Sequence, residues 1–244
     1  MSDQLRIPPQ VVILAAGMGT RLGMPMPKPL TPLADGRSIL GRQLDHLRAA
    51  FGADVRVTVV VGFRPDMVMA AAPDVTFVYN ERYEHTNTCK SLLKALRASH
   101  PGGVLWLNGD VVFDPGLLPA ITGRIGADRT FVCVNTERVG AEEVKYTLDP
   151  DGFVDALSKQ VVGGLGEAVG INYIAAADKA VLLRQLEACR DQDYFERGLE
   201  AAIAADGLRV EAVDISAHFA IEVDFADDLA RANTEVSRTV TPAA

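Results

Sequence analysis

Cysteine is scarce. Cys89, Cys133 and Cys189 are the only three, they stand far apart, and they match neither a zinc spacing nor a disulfide framework. They read as buried or half-buried free thiols of a reducing cytoplasm. The four histidines, His46, His85, His100 and His218, show no metal or triad spacing either. Long apolar runs are missing: none approaches the roughly 18 residues of a membrane span. The N-terminus also lacks the basic-then-apolar order of a signal peptide. Positive charge is short as well, with 24 Lys and Arg against 32 Asp and Glu and a net charge of −8. That balance argues against nucleic acid or an anionic membrane as the partner, and it agrees with a site that gathers metal ions. There is no internal repeat and no low-complexity linker. A cytoplasmic protein is expected.

What is present is ample core material, 48% hydrophobic over 244 residues. That suits a single α/β domain with an inserted substrate-binding portion. Strand-like runs at 11–14, 55–61, 75–79 and 104–107 alternate with helical patterns at 39–47, 64–72 and 91–99. This alternation predicts a Rossmann-like, mostly parallel sheet covered by helices on both faces. The second half changes character. Strand patterns at 130–134, 145–148, 154–158 and 169–175, with the turn signal Asp149-Pro150-Asp151-Gly152, predict a smaller β-rich insertion. Helices are expected at 179–188, 194–205 and 225–236, with a strand at 208–213. The division expected is a half at about 9–130, a second half at about 131–236, and a frayed tail from 237 to 244.

The first strand, Val11-Val12-Ile13-Leu14, opens into Ala15-Ala16-Gly17-Met18-Gly19-Thr20-Arg21-Leu22-Gly23, then Met24-Pro25-Met26-Pro27-Lys28-Pro29-Leu30. Glycines let backbone N–H groups approach an anion closely, and Arg21 and Lys28 add charge that neutral amides lack. The loop is suited to phosphates. It is no Walker loop, because Gly23 is followed by Met24-Pro25 rather than Lys-Ser/Thr. Nor is it a dinucleotide fingerprint: the glycines are spaced one residue too wide, and the second strand ends in Gly62-Phe63 without a carboxylate. Prolines 25, 27 and 29 forbid a long helix directly after the glycines. Ligands in such sheets sit beyond the carboxyl ends of strands, where both this loop and Asn108-Gly109-Asp110 fall.

Leu14 to Gly23, followed by Pro27-Lys28-Pro29-Leu30, resembles the signature of the nucleotidyltransferases that make nucleotide sugars and CDP- or CMP-activated compounds. Within that superfamily the chain is most similar to the phosphocholine and phosphonate cytidylyltransferase group. Further stretches carry the resemblance: Tyr79-Asn80, the run from Asn87 to Leu93, Glu142-Glu143-Val144-Lys145, the run from Gly166 to Ile171, and that from Ile221 to Phe225. The resemblance implies attack by a phosphate or phosphonate oxygen on the α-phosphorus of a nucleoside triphosphate, CTP by this likeness, with pyrophosphate leaving in line. Both reactants are anionic, so positioning and charge neutralisation carry the catalysis.

The roles implied follow from that chemistry. Arg21 and the loop's Leu14, Ala15, Ala16, Gly17, Gly19 and Thr20 would hold the nucleotide, with Asn87, Thr88, Ser91 and Asn108 as further nucleotide-side residues. Lys28 would balance charge on the α-phosphate. Asp110 and Asp224 would hold Mg2+. Lys145 would hold the acceptor phosphate, with Lys159, Glu167, Gly170 and Tyr173 around the acceptor. Plainer readings compete: a solvated lysine for Lys28, Lys145 or Lys159, turn or capping aspartates for Asp110 and Asp224, and helix caps for Asn87, Thr88 and Ser91.

One departure bears on the acceptor. Choline-specific members carry an aromatic before the catalytic lysine, where this chain has Val144. That leaves Tyr83, Tyr146, Tyr173, Tyr194 and Phe195 as candidate walls for a cation. A phosphonate or another phosphorylated alcohol is then as good an acceptor as choline phosphate. A sugar-1-phosphate transferase using UTP, dTTP or GTP, a molybdopterin-type nucleotide transfer, and a non-catalytic nucleotide-binding domain stay open, as does a homodimer.

Overall fold

The computed structural model describes residues 9–137 and 143–240. The first half contains β1 (Gln10–Ala15), α1 (Ile39–Phe51), β2 (Arg56–Val61), α2 (Pro65–Ala71), β3 (Thr76–Tyr79), α3 (Thr88–Ala98), β4 (Val104–Asn108), β5 (Val111–Phe113) and α4 (Leu117–Gly126). The second contains β6 (Phe131–Asn135), β7 (Lys145–Leu148), β8 (Val154–Ser158), β9 (Glu167–Ile174), α5 (Lys179–Ala188), α6 (Phe195–Asp206), β10 (Glu211–Asp214), β11 (Ala220–Glu222) and α7 (Ala226–Val240).

The main sheet runs β10-β6-β9-β4-β1-β2-β3. Its pairings are parallel except those of β9, which lies antiparallel between β4 and β6. Alternation along each strand builds both cores. One face presents Val11, Ile13, Val59 and Leu107 to Leu40, Leu44 and Leu47 of α1 and to Leu117, Leu118 and Ile121 of α4. The other presents Val12, Leu14, Val60 and Trp106 to Leu92 and Leu96 of α3, Leu182 and Leu186 of α5, and Leu199 of α6. Strands buried on both faces are continuous apolar runs, as expected of a parallel sheet between helical layers.

Two features set the position of the site. The carboxyl ends of β1 and β4 lie together, and β9 begins at that same edge, because it runs the other way and pairs Ile171 with Leu107. β7 and β8 form a hairpin attached to β9 through Lys145 opposite Glu167. The turn at Asp149–Gly152 closes as the sequence predicts, with Gly152 N–H donating to Asp149 O at 3.0 Å.

The pattern gives no signal for β5, β11 or α4. β5 and β11 form a separate antiparallel pair that registers Val111 with Glu222, and α7 covers it through Ala232 and Val236. The expectation of a loose tail at 237–244 is corrected for its first four residues, where α7 continues to Val240; residues 241–244 lie outside the described residues. Arg238 pairs with Glu235 at 2.7 Å, and Arg42 from α1 donates to Thr239 Oγ1 at 3.0 Å, so the last turn has partners.

Candidate active site

The glycine loop leaves β1 at Ala15 and makes one short turn at Thr20–Leu22 and another at Lys28–Leu30. Gly19 sits at φ +60°, and a Cβ there would stand 3.0 Å from Lys28 Cβ, so glycine lets the loop pack closely against the lysine without strain. Pro27 and Pro29 flank Lys28, and Thr31 N–H donates back to Lys28 O at 3.0 Å. The lysine is thereby held inward, at 9% exposure. It is no solvated loop residue.

Lys28 Nζ donates to Asp110 Oδ2 at 2.9 Å and also to Asp224 Oδ1. Arg21 reaches the other oxygen of Asp224 at 3.0 Å. These residues come from the loop after β1, the turn after β4, and the segment between β11 and α7. Backbone pairing explains the convergence. Gly109 N–H donates to Leu14 O at 2.9 Å, and Val223 N–H donates to Asp110 O at 3.0 Å, which brings Asp224 beside Asp110. Gln43 of α1, buried, donates to the carbonyls of Asn108 (2.9 Å) and Val111 (2.8 Å) and fixes the turn from below. Asp228 accepts from the N–H of Asp224 and Phe225, so it ties down the start of α7 and leaves the Asp224 carboxylate to the site.

Charge is strongly coupled here. Burial alone would lower the pKa of Lys28, but Asp110 and Asp224 outweigh it and hold the ammonium above its ordinary value. Burial would raise Asp224, and Lys28 and Arg21 overcome that, so it stays below the usual carboxylate range. Glu222, half-buried and next to the charge of Asp110, is pushed well above its ordinary value despite a 2.9 Å hydrogen bond from Asn108 Nδ2.

Among the described residues no group of three or more metal-ligating side chains stands together. Two carboxylates nevertheless suit a hard cation that takes its other ligands from phosphates and water. Asp110 and Asp224 both reach one cationic centre, at present the Lys28 ammonium. Asp110 Oδ1 is buried with no hydrogen-bond partner. The donor set fits Mg2+.

The expected residues divide as follows. Leu14, Gly17, Gly19, Arg21, Lys28, Asn87, Thr88, Asn108, Asp110, Lys159 and Asp224 line one cleft. Ala15 and Ala16 are buried just behind it. Thr20 lies in the first loop turn, and its side chain is outside the described residues, as is Glu142 of the motif before β7. Asn87 caps α3 by accepting from Thr88 N–H at 2.8 Å while also facing the cleft, so both readings of it hold. Thr88 Oγ1 accepts from Phe195 N–H at 3.1 Å and ties α3 to α6. Ser91 is buried and accepts from Asn80 Nδ2 at 3.1 Å; it belongs to the core and is off the cleft wall.

Lys145 stands behind the rim, donating to the carbonyl of Lys159 at 3.1 Å, next to Glu167 on β9. Gly170, at φ +68°, faces the floor: a Cβ would come within 2.6 Å of Asn108 Nδ2 and Glu222 Oε1. Tyr173 requires a correction. The register places it opposite Leu105, toward the far end of β9, where its hydroxyl donates to Asp128 at 2.8 Å and its ring stacks on Phe131. Of the aromatic candidates, Tyr194 and Phe195 line the cleft, and Tyr83, Tyr146 and Tyr173 do not.

Glu143, Val144, Glu196 and Glu222 line the cleft without having been expected there as site residues. Glu143, Val144 and Glu222 sit within motifs visible in the sequence, so only Glu196 had no signal. Burial, reinforced by Glu167, also holds the Glu143 carboxyl above its ordinary value.

A glycine loop after the first strand, an inward lysine and two convergent aspartates at the carboxyl edge of a mostly parallel sheet make up an NTP transferase domain. Residues 11–210 match the MobA-like NTP transferase domain, and the chain belongs to that family. It is 30% identical over 252 aligned residues, 95% of its length, to the CMP-5'-(3-aminopropyl)phosphonate synthase of Streptomyces rubellomurinus, and spans about two fifths (39%) of that protein. It is also 42% identical over 104 residues to the bifunctional protein GlmU of Burkholderia mallei; the match takes in 41% of this chain and 22% of that protein. Two solved structures share the fold at 17% identity. They are the CTP:phosphocholine cytidylyltransferase LicC of Streptococcus pneumoniae (TM-score 0.75; 94% of this chain, 100% of that one) and the inositol-1-phosphate CTP transferase of T. maritima (0.76; 96% and 97%). No helix among the described residues is long and apolar enough to cross a membrane.

Proposed function

We propose that this chain is a Mg2+-dependent cytidylyltransferase that joins CMP from CTP to a small phosphonate or phosphorylated alcohol. The observation that carries the reading is Lys28 held between Asp110 and Asp224 beside the glycine loop. The choice of CTP rests on the synthase named for a CMP-phosphonate product.

In the reaction an acceptor oxygen forms a bond to the α-phosphorus of CTP. The bond from that phosphorus to the bridging oxygen of the β-phosphate breaks, and pyrophosphate departs with the electron pair. The acceptor phosphonate or phosphate is already ionised, so its attack needs no general base, and no covalent enzyme intermediate forms. The loop amides around Gly17 and Gly19, with Arg21, hold the triphosphate. Lys28 turns from the aspartates to the α-phosphate and the leaving group, where negative charge concentrates. Asp110 and Asp224 would hold Mg2+, which supplies further neutralisation across the phosphates. Asn108 and Glu222 brace the floor beneath them. Lys159 faces the acceptor from the other wall, and Lys145, bonded to its carbonyl, orients that segment.

Pyrophosphate release, measured with each of CTP, UTP, dTTP and GTP plus Mg2+ against phosphonates, polyol phosphates, choline phosphate and sugar 1-phosphates, tests the reading. Release is expected with CTP and a phosphonate or phosphorylated alcohol. Tight nucleotide binding without release from any acceptor would make the chain a binding module. Preference for UTP, dTTP or GTP with a sugar phosphate would move it to the sugar-nucleotide class.

A further inference from the structure

Three carboxylates line the cleft besides Asp110 and Asp224: Glu143, Glu196 and Glu222. Glu222 has a partner in Asn108. Glu196 differs. The residue is 8% exposed, and its Oε2 is buried with no hydrogen-bond partner. It lies in the first turn of α6, directly after Phe195, whose ring meets Trp106 edge-on at 5.6 Å between centroids. On its other side Tyr194 carries the Lys159 ammonium 5.4 Å above its ring. A buried carboxylate oxygen without a donor is costly, and one on a cavity wall can be satisfied by a bound group that supplies the donor. Burial raises the Glu196 carboxyl to about 7, and the nearby Lys159 charge offsets only part of that rise.

We propose that Glu196 is a specificity-determining residue that binds a primary ammonium group on the acceptor. The acceptor is then a zwitterion, with its phosphonate or phosphate toward Lys159 and its amine on Glu196. This rests on the acceptor reading given above and narrows it. A quaternary ammonium has no N–H to offer Oε2, and Tyr194 is a single exposed ring where such a group needs a cage. A hydroxyl could offer a hydrogen bond but no positive charge.

Calorimetric titration of the full chain, with and without CTP, tests this using 3-aminopropylphosphonate, propylphosphonate and the N-trimethylated form of the first. The amine should bind at least about tenfold more tightly than either other compound, the scale of one charge-assisted hydrogen bond. Glu196→Gln should reduce that ratio to within about threefold. Glu196→Asp, which keeps the charge, should retain part of it, and thermal unfolding of both variants confirms that they fold. Equal binding of the three compounds, binding of none, or a preference that survives Glu196→Gln overturns the proposal. The titration needs no turnover, so the two readings fail separately. Amine preference without pyrophosphate release would sink the transfer reading alone, and release from propylphosphonate with no preference for the amine would sink this one alone.

Discussion

Replacing Lys28 with methionine keeps most of the side-chain volume and removes the charge between Asp110 and Asp224. Two consequences can be separated. The first is structural: both carboxylates lose their shared partner, and only Arg21, itself half exposed, still reaches Asp224. A fully buried pair broken this way costs about 3–5 kcal/mol. The two aspartate side chains, however, keep 24% and 29% of their exposure, so water screens much of the loss. We expect about 1–2 kcal/mol, which for a domain of this size lowers Tm by about 2–8 °C. The second consequence is chemical. Loss of one contact to charge that develops in the transition state lowers turnover at least about a hundredfold. Initial-rate pyrophosphate release at saturating nucleotide reads the second effect, and thermal unfolding reads the first. Added Mg2+ should also raise the Tm of Lys28→Met more than that of the native protein, because the ion restores positive charge between the aspartates. Turnover within about threefold of native would refute the role given to Lys28.

Three other substitutions probe the floor of the cleft, the far end of β9 and the face of α1 against Phe113. Gly170→Ala forces a Cβ into Asn108 and Glu222 at a backbone angle that disfavours side chains; stability should fall by about 1–3 kcal/mol and turnover with it, read by unfolding and initial rates. Tyr173→Phe removes only the distant bond to Asp128, so the expected loss is about 1 kcal/mol of stability with kcat and acceptor KM unchanged; a raised acceptor KM would return Tyr173 to the site. His46 is half-buried against Phe113, and burial and Arg42 push its pKa down to about 4. The unfolded chain therefore binds a proton below about 6.5 that the folded one refuses. Stability is fully present above that pH and declines by up to about 3 kcal/mol as pH falls toward 4, and a His46→Phe variant should flatten that part of the Tm-against-pH curve.

The donor side of the site is legible in the sequence because its parts are local. Gly17, Gly19, Arg21 and Lys28 lie within a dozen residues, and their chemistry needs no tertiary information to be recognised. Asp110 is legible because a strand ends just before it. Asp224 is marked only by its motif: the device that brings it home, β5 paired with β11, is three residues on each side and leaves no periodicity to read. Tyr173 shows the opposite failure. Its strand is visible, but which end of β9 meets the site depends on β9 running antiparallel to β4, and alternation carries no direction. Ser91 looked like a helix-start polar group, whereas α3 begins at Thr88 and turns Ser91 into the core. Glu196 follows an aromatic pair at the head of an ordinary amphipathic helix, where an acidic first turn is routine. Only its burial and its missing partner set it apart.

Attack at the α-phosphorus of CTP can be followed by 31P NMR of the protein with CTP, Mg2+ and 3-aminopropylphosphonate. A new P–O–P linkage joining the CMP phosphorus to the acceptor phosphorus is expected, with one pyrophosphate released for each linkage formed. Appearance of CDP and inorganic phosphate, or CTP left unchanged while it is bound, would contradict it.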